Sequence, residues 1–219
     1  MPTTSGRRDV DVYERSFEEA QAIARAVPET VLIGGWAVWS FNPRLKSRDI
    51  DLLVSPKDLW RLARHLRSRG FVETSGAHLQ KKGFRSLHED GSVDVDVYDT
   101  VIGPYRVEEL VSRWTQRELG GVPVRVLRPT ELIVLKLRAA DDRRGSEKGS
   151  KDLADLLALL VAVSGTVEWA QVEERLPRKL VQGVLRSALS DYRMTSRLYP
   201  LPMAEYRSLK RALARRGLL

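Results

Sequence analysis

Every run in this chain that reads as a β-strand lies before Pro129, and every periodic run after it reads as a helix. Strands show apolar residues alternating with a period of two, and helices show them recurring every three to four residues. VLIGG (31–35), DIDLLV (49–54), FVET (71–74), FRSLHE (84–89), SVDVDVY (92–98) and RELGGVPVRVL (117–127) are of the first kind. Thr130–Asp141, Lys151–Val163, Glu168–Arg175, Leu180–Asp191 and Met203–Arg215 are of the second. Strands first and helices afterwards predict an α+β chain: a mixed β-sheet core flanked by helices, followed by an all-helical C-terminal domain. The boundary expected from this switch divides the chain into domains 1–128 and 129–219.

Within the first region, Phe17, Ala20, Ile23, Ala24 and Val27 have helical spacing, and Pro28 follows where such a helix should stop. A short helix is expected over Trp36–Phe41, an amphipathic one from Pro56 to Gly70, and another over Val107–Trp114. The alternating runs AHLQKKG and FRSLHE around residues 77–89 predict the antiparallel part of the sheet. Asp90-Gly91 and Gly120-Gly121 supply hairpin turns. DDRRGSEKGS (141–150) reads as a polar loop between two helices.

Composition excludes some chemistry. With no cysteine among 219 residues there are no disulfides, thiolate metal sites or cysteine nucleophiles. His65, His78 and His88 lack zinc-ligand spacing. The longest apolar stretch, Leu156–Val163, is far short of the roughly 20 residues of a bilayer span. The N-terminus lacks the apolar segment of a secretory signal, so a cytoplasmic protein without membrane contact is expected. A formal net charge of +8 attracts polyanions.

The chemistry-bearing segment is GGWAVWSFNPRLKSRDIDLLV. Gly34 and Gly35 lack a Cβ, so backbone amides at that turn can approach a phosphate, and the following helix would point its positive end at the same anion. On a strand, residues two apart share a face, so Asp49 and Asp51 project together while Ile50 and Leu52 enter the core. SVDVDVY repeats the pattern, with Val93, Val95 and Val97 on one face and Asp94 and Asp96 on the other. If the two strands are neighbours, three or four carboxylates converge into a set of hard oxygen ligands suited to Mg²⁺ or Mn²⁺. Of the second pair, Asp96 lies deeper in the apolar strand and is favoured as the third metal ligand beside Asp49 and Asp51. The expected chemistry is in-line attack on phosphorus.

Glycine-glycine followed by Asp-x-Asp on the next strand resembles the signature of the nucleotidyltransferase superfamily that includes DNA polymerase beta. GGWAVWS followed by RDIDLLV is similar, more narrowly, to the AbiEii-like abortive-infection toxin type, with Trp36 where threonine or alanine is usual. Such proteins also tend to have a lysine in the first helix of the C-terminal region and a basic-Asp-x-x-Asp element in the next. LIVLKLRAA supplies Lys136, and SKDLADLL supplies Lys151, Asp152 and Asp155. The resemblance implies a nucleoside triphosphate donor and a divalent metal cofactor, often with tRNA as acceptor; the basic helical region could also dock a partner such as a cognate antitoxin. It further implies that Gly34, Gly35, Arg48, Lys136, Lys151 and Asp155 hold the nucleotide, and that the helical domain completes the nucleotide and acceptor site.

Plainer readings stand beside these. Lys136 could run its stem along the helix and leave its amine in water, and Asp155 could pair with Lys151 one turn earlier. Trp36, Trp39 and Trp60 fit core or rim positions, although Trp36 adjoins the site and could touch a base. RSLKRALARRGLL reads as a solvated amphipathic helix, with RNA phosphate contact as the sharper alternative. A small hydroxylic acceptor, or a non-catalytic nucleotide or RNA binder that kept the fold, remain the competing functions.

Overall fold

The computed structural model describes residues 5–74, 81–86, 91–190 and 197–219. They fall into two compact units, one comprising residues up to Ser40 together with Lys46–Leu127, the other Phe41–Leu45 together with Arg128–Leu219.

The first unit opens with α1, Ser5–Ala26, which buries Val12, Ser16, Ala20 and Ile23 at helical spacing and stops before Pro28. β1 (Val31–Ile33) runs directly into α2 (Gly34–Phe41), and β2 (Ile50–Leu53) leads to α3 (Leu59–Ser68), which ends before a positive-φ Gly70. There follow β3 (Phe71–Thr74), β4 (Lys82–Ser86), β5 (Asp94–Tyr98), the short pair β6 (Val101–Ile102) and β7 (Tyr105–Arg106), α4 (Val107–Leu110), β8 (Trp114–Leu119) and β9 (Val122–Leu127). Seven strands form one mixed sheet in the order β3-β4-β5-β2-β1-β9-β8. β2 is parallel to β5 and β1 to β9; the other pairs are antiparallel.

The alternation read from the sequence sets the faces. Ile50, Leu52, Val95 and Val97 are buried, while Asp51, Asp94 and Asp96 are only partly covered. Gly120 and Gly121 both have positive φ, +57° and +80°, which closes the β8–β9 hairpin with two residues.

The second unit is helical: α5 (Pro129–Asp142), α6 (Glu147–Val163), α7 (Trp169–Arg175), α8 (Arg178–Ser190) and α9 (Met203–Arg215). α5 packs on α6, α7 and α8, and α6 also meets α8 and α9. Asn42, the sole asparagine, donates from Nδ2 to the Ala158 carbonyl at 2.9 Å and to the Tyr199 hydroxyl at 2.8 Å. Chiefly because it is buried, the Tyr199 hydroxyl has its pKa raised above the ordinary tyrosine value.

Two expectations are corrected. The helix over Val107–Trp114 is a single turn, because Trp114 pairs with Leu127 at the start of the β8–β9 hairpin. The loop over 141–150 is shorter than its polarity suggested. Ser146 caps α6 by accepting from the Gly149 amide at 3.0 Å, so the polar residues EKGS form the first turn of that helix. The expected turn residue Asp90, and the run Ala77–Gln80, lie outside the described residues. Among the described residues no helix is long and apolar enough to cross a membrane.

Candidate active site

The register across five strands places one row of residues side by side: Thr74 on β3, Gly83 on β4, Asp96 on β5, Asp51 on β2 and Ile33 on β1. Adjacent strands lie about 4.8 Å apart, so the Asp51 and Asp96 backbones are direct neighbours and their side chains share a face. Two carboxylates placed together repel unless a cation or proton lies between them.

At one end of the row the chain turns at Gly34, where φ is +68°. A Cβ built there would lie 2.0 Å from Asp51 Oδ2. Glycine is required twice over, by the left-handed backbone and by the carboxylate pressed against the turn. Gly34 and Gly35 are also the first residues of α2, so the start of that helix adjoins the Asp51 carboxylate.

Cations come from the other side of the row. Lys81, immediately before β4, pairs through its ammonium with Asp96 Oδ2. Arg85 binds Asp94 with both Nε, at 2.6 Å, and Nη2, at 3.1 Å. The hydrogen bond to Asp94 leads the causes that raise the Arg85 pKa, and the negative charge of Asp49 adds to them, so Asp49 belongs to the same electrostatic neighbourhood. Lys82 pairs with Asp99 at 3.2 Å. Lys81 and Arg85 were not singled out in the sequence. Their signal is the alternation of Lys81, Gly83 and Arg85 with Phe84 and Ser86, which puts both cations on the face away from the buried residues of β4.

The other residues singled out by sequence have the following surroundings within their own units. Arg48 is exposed, with its guanidinium 5.2 Å from the Tyr13 ring centroid. Trp36 is fully buried and donates from Nε1 to Ser16 Oγ at 2.8 Å, with Phe17 and Trp39 packed beside it, so it is a core residue. In the second unit Lys136 is buried, its Nζ 3.2 Å from Asp152 Oδ1 and 2.6 Å from Asp155 Oδ2. Its amine is therefore not in water, and the cation held by Asp155 is Lys136. Arg143 completes the group at 2.9 Å from Asp152 Oδ2. Asp155 Oδ1 is buried without a hydrogen-bond partner. Lys151 sits half-buried one residue before Asp152.

The donor set suits a divalent cation: hard carboxylate oxygens from neighbouring strands, with an ammonium already seated on one of them. Among the described residues no three carboxylate or imidazole side chains are drawn together into a ready-made cage. What exists is the Asp51–Asp96 pair, with Asp49 in the bend just before β2.

A glycine turn, a helix start and paired carboxylates on adjacent strands of a mixed sheet make up the candidate site. Residues 45–197 match a family model described as an uncharacterised nucleotidyltransferase, and the chain belongs to that family. It is a nucleotidyltransferase. Two solved structures share the fold. An antigenic nucleotidyltransferase-like protein from Paracoccidioides brasiliensis aligns with 18% identity over 81% of this chain and 93% of its own, at a TM-score of 0.51. ANT(2″)-Ia, solved in complex with adenylyl-2″-tobramycin, aligns with 17% identity over 80% of this chain and 98% of its own, at a TM-score of 0.53. No curated protein matches the sequence.

Proposed function

We propose that this enzyme transfers a nucleoside monophosphate from a nucleoside triphosphate to a hydroxyl of an RNA acceptor, tRNA foremost, with Mg²⁺ or Mn²⁺ held by Asp49, Asp51 and Asp96. The observation that carries this is the single row joining Asp96, Asp51 and the Gly34 turn. When bound, the metal neutralises phosphate charge and lowers the pKa of the attacking hydroxyl. Asp51, backed against Gly34, keeps its orientation because the turn leaves it no room to fall back. The amides at the start of α2 take the triphosphate, aided by the positive end of that helix. Asp96, once Lys81 gives it up, accepts the proton of the acceptor hydroxyl, whose oxygen then bonds to the α-phosphorus as pyrophosphate leaves. Arg48 is assigned to the triphosphate. Lys136, Lys151 and Asp155 are assigned to the frame of the helical unit.

The motif resemblance to the AbiEii-like type and the excess of basic residues support RNA as acceptor, and a cognate antitoxin as partner goes with that reading. A second acceptor class, a small hydroxylic molecule, is supported by the fold shared with ANT(2″)-Ia, whose complex carries an adenylyl group on tobramycin.

The test is transfer of label from each α-labelled NTP to total tRNA and to small hydroxylic acceptors with Mg²⁺ or Mn²⁺. Label should pass to tRNA and fall at least about 10³-fold in Asp49→Asn/Asp51→Asn, equivalent to about 4 kcal/mol of transition-state stabilisation. Transfer to small acceptors alone would reassign the acceptor. No transfer to either, with equal NTP binding by both proteins, would overturn the enzymatic reading of these residues.

A further inference from the structure

Several arginines of this protein are matched to carboxylates, among them Arg61 to Glu29, Arg67 to Glu73, Arg69 to Glu19, Arg138 to Asp142 and Arg144 to Asp141. Helix α9 departs from this. Arg207, Lys210, Arg211, Arg215 and Arg216 lie in or next to it, all are exposed, and among the described residues none is matched with a carboxylate. Glu205, the acidic residue of its first turn, is taken by Arg44.

The spacing sharpens the point. Arg207, Arg211 and Arg215 stand at i, i+4 and i+8, so they form one stripe with a rise of about 6 Å between successive members. Like charges at that spacing destabilise a helix by a few tenths of a kcal/mol per pair. The C-terminal end of the dipole compensates the last turn only. Nothing else described on the helix offsets the repulsion, which points to an anionic surface outside the chain.

α8 extends the same charge. It is tied to α9 by Tyr206 Oη donating to the Leu189 carbonyl at 3.0 Å, and by Arg178 and Gln182 donating to the Gly217 carbonyl at 3.0 and 2.9 Å. Those contacts at opposite ends make the helices antiparallel neighbours. Lys179 and Arg186 on α8 are likewise exposed, without an ion pair among the described residues.

We infer that the α8–α9 pair is a docking surface for the phosphate backbone of RNA. It rests on the RNA-acceptor reading above and names where the acceptor is held. A membrane surface fits less well, because an interfacial helix needs a free apolar face. The leucines of α9, Leu209 and Leu213, are already buried, and its one exposed large apolar residue is Met203 at the N-terminal end, which alone makes no apolar face. Cations one helical turn apart suit a regularly spaced polyanion, and the recognition expected is of backbone charge, independent of base sequence.

The experiment compares the full-length wild type with Arg207→Gln/Arg211→Gln/Arg215→Gln and with a charge-matched control, Arg61→Gln/Arg67→Gln/Arg138→Gln. Binding to total tRNA is measured from 50 to 300 mM salt. The α9 triple should lose at least about 30-fold in affinity at 100 mM salt and lower the slope of log K against log salt by about 2–3, close to one per lost phosphate contact. The control should stay within about threefold. Equal losses in the two triples, or no loss in the α9 triple, would overturn the surface. So would wild-type binding to phosphatidylserine vesicles without binding to tRNA. Binding is scored apart from label transfer: a wild type that binds tRNA through α9 but transfers no label keeps the surface and removes the catalytic reading. Thermal melts of both triples identify any loss due to unfolding, and single Arg211→Gln, with a slope change of about one, then decides the question.

Discussion

Two clusters of aspartate and lysine, one in each unit, look alike in the sequence and differ in what surrounds them. On the sheet, Asp51 and Asp96 are half-buried, and Lys81 reaches Asp96 from a partly exposed position. In the helical unit, Lys136, Asp152 and Asp155 are nearly sealed, with side chains 9%, 7% and 2% exposed. The difference decides function. A carboxylate that water reaches can exchange an ammonium for a metal ion, because the displaced lysine finds solvent. Sealed charges have no such outlet, and separating them leaves bare charge in a medium of low dielectric. Lys136 therefore ties α5 to α6, while on the proposed reading Lys81 is the counter-ion that a metal replaces.

The sharpest way to break this contrast is to remove each lysine. Lys136→Met should destabilise the protein by about 3–5 kcal/mol, because buried Asp155 loses its cation and Asp152 keeps only Arg143. For a chain of this size that is a fall in Tm of roughly 6–20 °C by differential scanning calorimetry. Lys81→Met should cost below about 1 kcal/mol, since its pair is screened by water. It should also tighten Mn²⁺ binding, as the metal no longer competes with an ammonium. Equal losses of stability in the two variants would remove the distinction.

How much of this was readable beforehand follows the same division. Alternation of Val93, Val95 and Val97 with Asp94 and Asp96 made the faces of β5 legible, because that period is local. The pairing of Asp51 with Asp96 was legible only as a condition, since strand order is set by tertiary packing. Lys136 shows the limit: the sequence placed it on a helix, but only the packing of α5 on α6 puts both Asp152 and Asp155 within reach. Trp114 was assigned to a helix because VEELVSRW has helical spacing, and the pairing of β8 with β9 overrode it. The α+β class survived these local errors because strands and helices are segregated along the chain.

Gly34 permits a smaller test. Alanine at φ +68° costs about 1–2 kcal/mol from backbone strain, and its Cβ must also displace the Asp51 carboxylate. Gly121→Ala is the control, with φ +80° and nothing within 4 Å of the added carbon. Gly34→Ala should lose more stability than Gly121→Ala in urea denaturation, because the clash with Asp51 adds to the strain the two share, and only Gly34→Ala should lose NMP transfer, by at least about tenfold if the carboxylate is displaced from its productive geometry. Equal activity in both would mean that the turn does not position Asp51.

The smallest expected effect concerns a third response to burial, in which a group gives up its charge. His65 on α3 has its pKa lowered below the ordinary histidine value, first by burial and then by the Arg69 guanidinium, against a smaller opposing effect of Glu19. Its Nε2 is buried without a hydrogen-bond partner, as suits a neutral ring. The unfolded chain therefore takes up a proton at this residue before the folded one does. Stability contributed by neutral His65 is fully present above about pH 6.5 and declines as pH falls from there through the lower folded value. Denaturation measured between pH 7.5 and 5 should show that decline, and His65→Gln should reduce its slope. An unchanged slope would mean that His65 is protonated as readily folded as unfolded, and that burial on α3 does not exclude charge as it does not at Lys136, where a partner compensates.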